Sequence, residues 1–321
     1  MIKNYGLIND RSPHIIADLF EIIAFFENKE VSRGDIETYL QRDGGKGLED
    51  AVEDDAGGGS ATSAELNEQF QRLSEEVFSH LIYRQAAFGE WYPFAADRDV
   101  LTLAPVLSDK MKIYVSLLAY SRLKMFSNRN RSLFAANFEK LSVEAVKGLF
   151  AGWDVLHFGK GGGDRGLFGS KLKEAIRELA KRMKDTTDET HISALSEQDT
   201  GDAGIDIVAM HDFGDTAPGI TAFFGQCAAQ QLAWPEKRFE SHPISLRKYM
   251  HAFHPPGTLL IIPVLYRNPD GNWVDTESYP TVLLDRLRIV QLLESRNSLD
   301  AISAALATVP AGLIPEGAAA A

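Results

Sequence analysis

The sequence predicts a mixed α+β/α/β protein: a helical N-terminal region, then a domain built on a central mixed sheet flanked by helices. Three observations carry this. Apolar residues recur at helical spacing before residue 150. A Gly-, Asp- and Ser-rich stretch, RDGGKGLEDAVEDDAGGGSATSAE, interrupts them at residues 42–65. Beyond residue 150, short continuous apolar runs alternate with helical patterns, as buried strands and their connecting helices do. With 321 residues, 45% hydrophobic and 24% charged, whole-chain disorder is excluded, and two domains are expected. The division places a mainly helical domain at 1–150, with a mobile acidic linker at about 42–64. An α/β domain follows at 151–305, and a flexible tail at 306–321.

Each element follows from its local pattern. Ile16, Leu19, Ile22 and Ile23 share one helical face, and Val31-Ser32-Arg33-Gly34-Asp35 opens a second helix ending near Leu40. Two helices joined by a short turn fit either a DNA-reading helix-turn-helix or a plain packing hairpin, the latter being the simpler reading. Leu66, Phe70, Leu73, Val77 and Leu81 form the stripe of a long amphipathic helix over 64–88. Further helices are expected at 108–126 and 142–149, and no strand alternation is visible before about residue 200. Then Gly-rich FGKGGGDRGLFGS (158–170) leads into a helix at 171–184, with Leu172, Ile176, Leu179 and Met183 on one face. Strands are expected at 205–209, 220–224 and 259–265. Helices are expected at 235–251, where Pro235 suits a first turn, and at 282–293.

Net charge is −12, which by itself points away from nucleic acid, but the distribution is uneven. Residues 43–65 carry net −6, whereas residues 160–184 carry net +5, so an anionic partner is not excluded. No apolar run reaches the roughly 18–20 residues of a membrane helix, and the N-terminus lacks a signal-peptide pattern. One cysteine, Cys227, leaves no intramolecular disulfide or Cys-rich zinc site. These features imply no membrane partner and a reducing, cytoplasmic setting.

The chemistry-bearing segment is DTGDAGIDIVAMHDFGDTAPGITAFFGQCAAQ, residues 199–230. Gly201-Asp202-Ala203-Gly204 is a tight turn that delivers Asp206 to the start of a strand. A hairpin then turns over 214–219 and returns to Gln226. Antiparallel strands lie about 4.8 Å apart, so a carboxylate and an amide oxygen converge there. That hard, oxygen-only set suits Mg2+ (or Mn2+), which takes few protein ligands and keeps several waters.

Gly-Asp-x-Gly-Ile-Asp followed by a strand ending in Gln resembles the Mrr-type branch of the PD-(D/E)XK restriction-endonuclease-like superfamily, over roughly residues 165–265. The resemblance implies a restriction-endonuclease-like domain in which Asp206 and Gln226 bind the metal. It also implies a lysine two positions later that positions the attacking water, and an acidic residue from the helix before the first strand, for which Glu174 and Glu178 are the candidates. The lysine is missing: Ala228 stands there. Three explanations remain open. Lys237 supplies the ammonium from the following turn, since only its place in space matters; or the site is inactive; or the domain only binds nucleic acid.

The expected activity is Mg2+-dependent endonucleolytic hydrolysis of DNA, RNA not excluded, in restriction or anti-phage defence. The alternative is a catalytically inactive nucleic-acid-binding or scaffold subunit of a multiprotein defence complex; a partner protein or a homodimer fits either. Lys171, Lys173 and Arg177 are the candidates for holding the phosphate backbone, though charge on a helix face is also what any protein surface shows. Asp202 reads as a shaper of its turn. Three signals are set aside. The 159–169 glycines lack the Gly-Lys-Ser/Thr order of a phosphate loop, His211, His242, His251 and His254 match no ligand spacing, and Cys227 sits in a buried strand where a thiol is inert.

Overall fold

The computed structural model describes residues 12–41, 63–97, 99–229, 234–239, 246–275, 281–296 and 299–314. Helix α1 (Pro13–Glu27) starts on a proline, whose fixed φ suits a first turn, and closes on Asn28 in the left-handed region at φ 47°. It is buried nearly all round, so it is a central helix and not a surface one. Strand β1 (Val31–Ser32) follows. Helix α2 (Arg33–Tyr39) is opened by a capping box in which Asp35 N–H donates to Ser32 Oγ and Ser32 N–H to Asp35 Oδ2. The long helix α3 (Ser63–Phe88) leads into the hairpin β2 (Phe94–Asp97) and β3 (Val100–Leu103). Strand β1 joins β3, making a small three-stranded sheet that ties α1 and α2 to the rest.

Helices α4 (Asp109–Tyr120) and α5 (Asn128–Leu149) complete the helical region, and β4 (Asp154–His157) opens the main sheet. Then come α6 (Leu172–Arg182), β5 (Thr186–Thr187), α7 (Glu189–Ser193), β6 (Ile207–His211) and β7 (Thr221–Cys227). After them lie β8 (Met250–His251), β9 (Gly257–Ile261), β10 (Val282–Leu284), α8 (Arg286–Ser295) and α9 (Leu299–Leu306). The main sheet has the order β10-β9-β7-β6-β4. Strand β6 runs antiparallel to both β4 and β7, whereas β9 and β10 continue parallel to β7. It is a mixed sheet with helices on both faces. Among the described residues, no helix is long and apolar enough to cross a membrane.

One face of the sheet, including Ile207, Ala209, Leu259, Ile261 and Leu284, shares a continuous core with Ile16, Phe20 and Leu81 of the helical region and with Leu287 and Val290 of α8. The other face, with Val208, Met210 and Phe224, packs on Leu172, Ile176 and Leu179 of α6. The boundary expected near residue 150 therefore falls between α5 and β4, but the apolar core runs through it. At its centre lies a buried ionic cluster in which Arg84 and Arg286 meet Asp18 and Glu21.

Several local expectations are corrected. Among the described residues, five short strands, β1 to β5, stand in the region before about residue 200 read as strandless, because two- to four-residue strands are too short to show an alternation. The helix expected at 142–149 begins at Asn128, its first turns being too polar to register as a stripe. Residues 282–284 are a strand, and helix α8 starts only after Asp285, whose side chain caps it by accepting from Arg288 N–H at 3.1 Å. The helix expected at 235–251 is, over its described residues, a 3-10 turn at Trp234–Phe239, a turn at 246–249 and strand β8. The tail is packed as far as Leu313, which is buried in the main core. Its last residues, and positions 42–62 of the acidic linker, lie outside the described residues.

Candidate functional site

The site is built where β4 ends, β6 begins and β7 ends. The turn 201–204 is made by Asp202, whose Oδ1 accepts from Gly204 N–H at 3.0 Å, with Ala203 and Gly204 both at positive φ. This turn feeds Asp206 onto β6. The Asp206 backbone is then pinned from two sides: its N–H donates to Gly225 O at 2.9 Å, and its carbonyl accepts from Phe158 N–H at 2.7 Å and Gly159 N–H at 3.0 Å. The side chain is buried, and its Oδ2 accepts from Cys227 N–H at 2.7 Å. Asp206 is thus held at the junction of three strands.

Gln226 lies one step beyond the last paired residues, Ile207 and Gly225, and so beside Asp206 in the hairpin. Strand alternation puts its side chain on the face of Phe224 and Ala228, opposite that of Phe223 and Cys227. Gln226 is buried, and among the described residues its Oε1 has no hydrogen-bond partner. Such an orphan acceptor is costly unless something fills it.

The acidic partner comes from an element the sequence did not point to. The first strand of the main sheet is β4, so the helix preceding it is α5, and α5 carries Glu139. A methyl group placed on Gly159 would sit 3.2 Å from Asp206 Oδ1 and 3.4 Å from Glu139 Oε2, so both carboxylates flank one small gap left by a glycine. Glu139 Oε2 also lies 2.9 Å from His157 Nε2. The Cys227 thiol is pushed well up by burial and by the Asp206 and Glu139 charges beside it, which makes it a poor nucleophile. The only signals that would have found Glu139 were its place on the helix before β4 and the assignment of 154–157 as a strand, which is four residues long.

Glu174 and Glu178 have other duties. Glu174 Oε2 accepts from Lys171 N–H at 3.2 Å and caps α6, while Glu178 pairs with Lys181 and Arg182 on the same helix. Nor is the basic row a free phosphate-binding face. Lys173 is buried, its ammonium bound to Ser193 O and Glu197, and Arg177 pairs with Glu189 at 2.7 Å. Lys171 stands half-exposed at the start of the helix.

Lys237 is half-buried on the 3-10 turn after β7. That turn is anchored by Trp234, buried in the same apolar cluster as Ala228, Leu260 and Ile15. Ala228, at the position of the expected lysine, is only 2% exposed.

Among the described residues, no group of three or more His, Cys, Asp or Glu side chains is arranged to hold a metal ion. What the gap offers is two carboxylates, whose oxygens fit a hard divalent cation with water completing its shell. Compared with known proteins, the chain matches no family model, and no curated protein and no solved structure is significantly similar to it.

Proposed function

We propose that this chain is a Mg2+- or Mn2+-dependent nuclease of the restriction-endonuclease-like kind, hydrolysing DNA phosphodiester bonds in restriction or anti-phage defence. The observation that carries the reading is the approach of Asp206 and Glu139 to one gap above Gly159, at the start of the strand that follows the Gly-Asp-x-Gly-Ile-Asp turn. The mixed sheet flanked by helices is in keeping with it.

In this reading Asp206 and Glu139 would hold the cation, and Gln226, beside Asp206 in the hairpin, is the candidate for a third donor. The chemistry supplied by a divalent cation bound there would be polarisation of the scissile phosphate and a lowered pKa of an attached water. The protein's part is to keep both carboxylates in place. Asp206 is fixed by the Cys227 amide, and the Gly159 backbone leaves the gap open. Lys237 stabilises charge developing on the phosphate in place of the missing lysine.

A second reading rests on Ala228. Its burial beneath Trp234 makes the place of the expected ammonium apolar, which favours a nucleic-acid-binding or scaffold subunit that does not cleave. Incubating the chain with plasmid DNA, single-stranded DNA and RNA, in Mg2+ or EDTA, separates the two. Cleavage that needs the metal and is lost in Asp206→Asn and Glu139→Gln supports the nuclease. DNA binding without cleavage of any substrate supports the second reading. Loss in Lys237→Ala would place that lysine in the chemistry.

A further inference from the structure

We infer that His157 is a positioning residue for Glu139, holding its carboxylate toward Asp206 so that the pair can take a divalent cation. The inference rests on the proposal that Asp206 and Glu139 are the cation's ligands, and it concerns what fixes one of them.

The two carboxylates reach the gap by different routes. Asp206 has a short side chain on a backbone pinned by three hydrogen bonds, so its oxygens have little freedom. Glu139 comes from helix α5, on a longer side chain that retains about a quarter of its exposure. A glutamate at such a place samples several rotamers unless something holds it. His157 is suited to hold it. It is the last residue of β4, paired in register with Ile207, the neighbour of Asp206. Its ring is almost wholly enclosed. Its own N–H donates to Asp164 Oδ2 at 2.9 Å, which fixes the backbone from which the ring projects. The next two residues, Phe158 and Gly159, donate to the Asp206 carbonyl. His157 and Asp206 are therefore parts of one rigid piece, and the 2.9 Å contact from His157 Nε2 to Glu139 Oε2 ties the helix-borne ligand to it.

A carboxylate without its proton only accepts, so the positioning role requires the Nε2 hydrogen in this contact. A partner that holds a metal-binding carboxylate by donating to it is ordinarily worth about 10- to 100-fold in metal affinity. A bond that served only to seat α5 on the sheet would change stability and leave the intrinsic affinity for the ion alone.

The test is Mn2+ binding to the full chain, followed by electron paramagnetic resonance and calorimetry, with melting in EDTA as the stability control. His157→Phe keeps a ring of similar size without a donor, and His157→Gln keeps an N–H donor. The expected result is Mn2+ affinity about 10- to 100-fold weaker in His157→Phe, with most of it retained in His157→Gln. Asp206→Asn and Glu139→Gln serve as references. If both weaken Mn2+ binding while His157→Phe binds like the parent chain, the positioning role is overturned and the metal site stands. If the parent chain binds no Mn2+, or neither reference variant weakens it, the metal site falls and the role of His157 with it. Should His157→Phe not fold, nitrogen-15 resonances of His157 in the parent chain decide. A protonated Nε2 whose shift moves on adding Mg2+ supports the role; an unprotonated or unmoved Nε2 overturns it.

Discussion

Arg286 and Asp18 are 268 residues apart in the chain, yet the Arg286 guanidinium grips both Asp18 oxygens, at 2.7 and 3.0 Å, in a place closed to solvent. Arg84 donates to Asp18 Oδ1 at 2.7 Å and meets Glu21 as well, while the Tyr92 and Tyr114 hydroxyls donate to Glu21 and the Ser121 hydroxyl to Asp18. The first helix of the chain, α3 and α8 are thereby locked together through charges that have no water to fall back on. Replacing Arg286 by Met keeps much of the volume but leaves buried carboxylates underpaired. The expected loss is about 3–5 kcal/mol, read from chemical denaturation. A loss under 1 kcal/mol would mean that Arg84 alone compensates both acids.

The same cluster sets a pH dependence. Burial by itself would raise the Asp18 pKa, but the Arg286 and Arg84 charges outweigh it and hold the carboxyl well below the usual carboxylate range. A depressed pKa in the folded state gives stability that is present above the unfolded value, about 3.9, and lost as the pH falls below it. His80 acts earlier. Burial, then the Arg84 charge, push it well below 6.5, so the unfolded chain gains a proton that the folded chain refuses. Stability is therefore expected to fall in two stages on acidification, first below about 6.5 and again below about 4. Denaturation curves between pH 8 and 3 check this, and His80→Gln should flatten the first stage only.

Helices α5 and α8 pack closely at Gly148, where a methyl group would lie 2.2 Å from the Leu292 carbonyl oxygen. Backbone cannot step aside as a flexible side chain does. Gly148→Ala is expected to force the helices apart and cost about 1–3 kcal/mol, measured by urea denaturation.

Two glycines of the loop after β4 should behave differently. A methyl on Gly162 would meet the His157 carbonyl oxygen at 2.3 Å, again backbone, so Gly162→Ala should destabilise the fold. A methyl on Gly159 is tight only against the ends of Asp206 and Glu139, at 3.2 and 3.4 Å, which can yield by a few tenths of an ångström; the Asp206 Cα, at 3.5 Å, is an ordinary contact. Gly159→Ala is therefore expected to melt in EDTA within a few degrees of the parent chain while binding Mn2+ more weakly. Unchanged Mn2+ binding would argue against a cation in that gap.

Local chemistry made a good part of this protein legible. The spacing of Ile16, Leu19, Ile22 and Ile23, the Val31–Asp35 opening and the apolar stripe of 64–88 marked their helices, and the apolar runs around 207, 221 and 259 marked the three central strands. The 201–204 turn singled out Asp206, because a Gly-Asp-x-Gly turn before an apolar run is a local signal. Glu139 was not legible. It joins the candidate site only because β4 pairs antiparallel with β6 and the middle of α5 packs alongside, a relation between residues 67 positions apart that no spacing rule encodes.

The same distinction separates the charges. The sequence by itself determined that residues 160–184 are rich in Lys and Arg, and that a carboxylate and a Gln stand at adjacent strand ends. Only the tertiary structure decided that Lys173 is buried against Glu197, that Glu174 and Glu178 are spent on their own helix, and that four charged groups of the helical region and α8 meet in the core. Secondary structure follows from neighbours in the chain, whereas the partner of a charge is fixed by which surfaces pack together, and burial then makes that pairing obligatory.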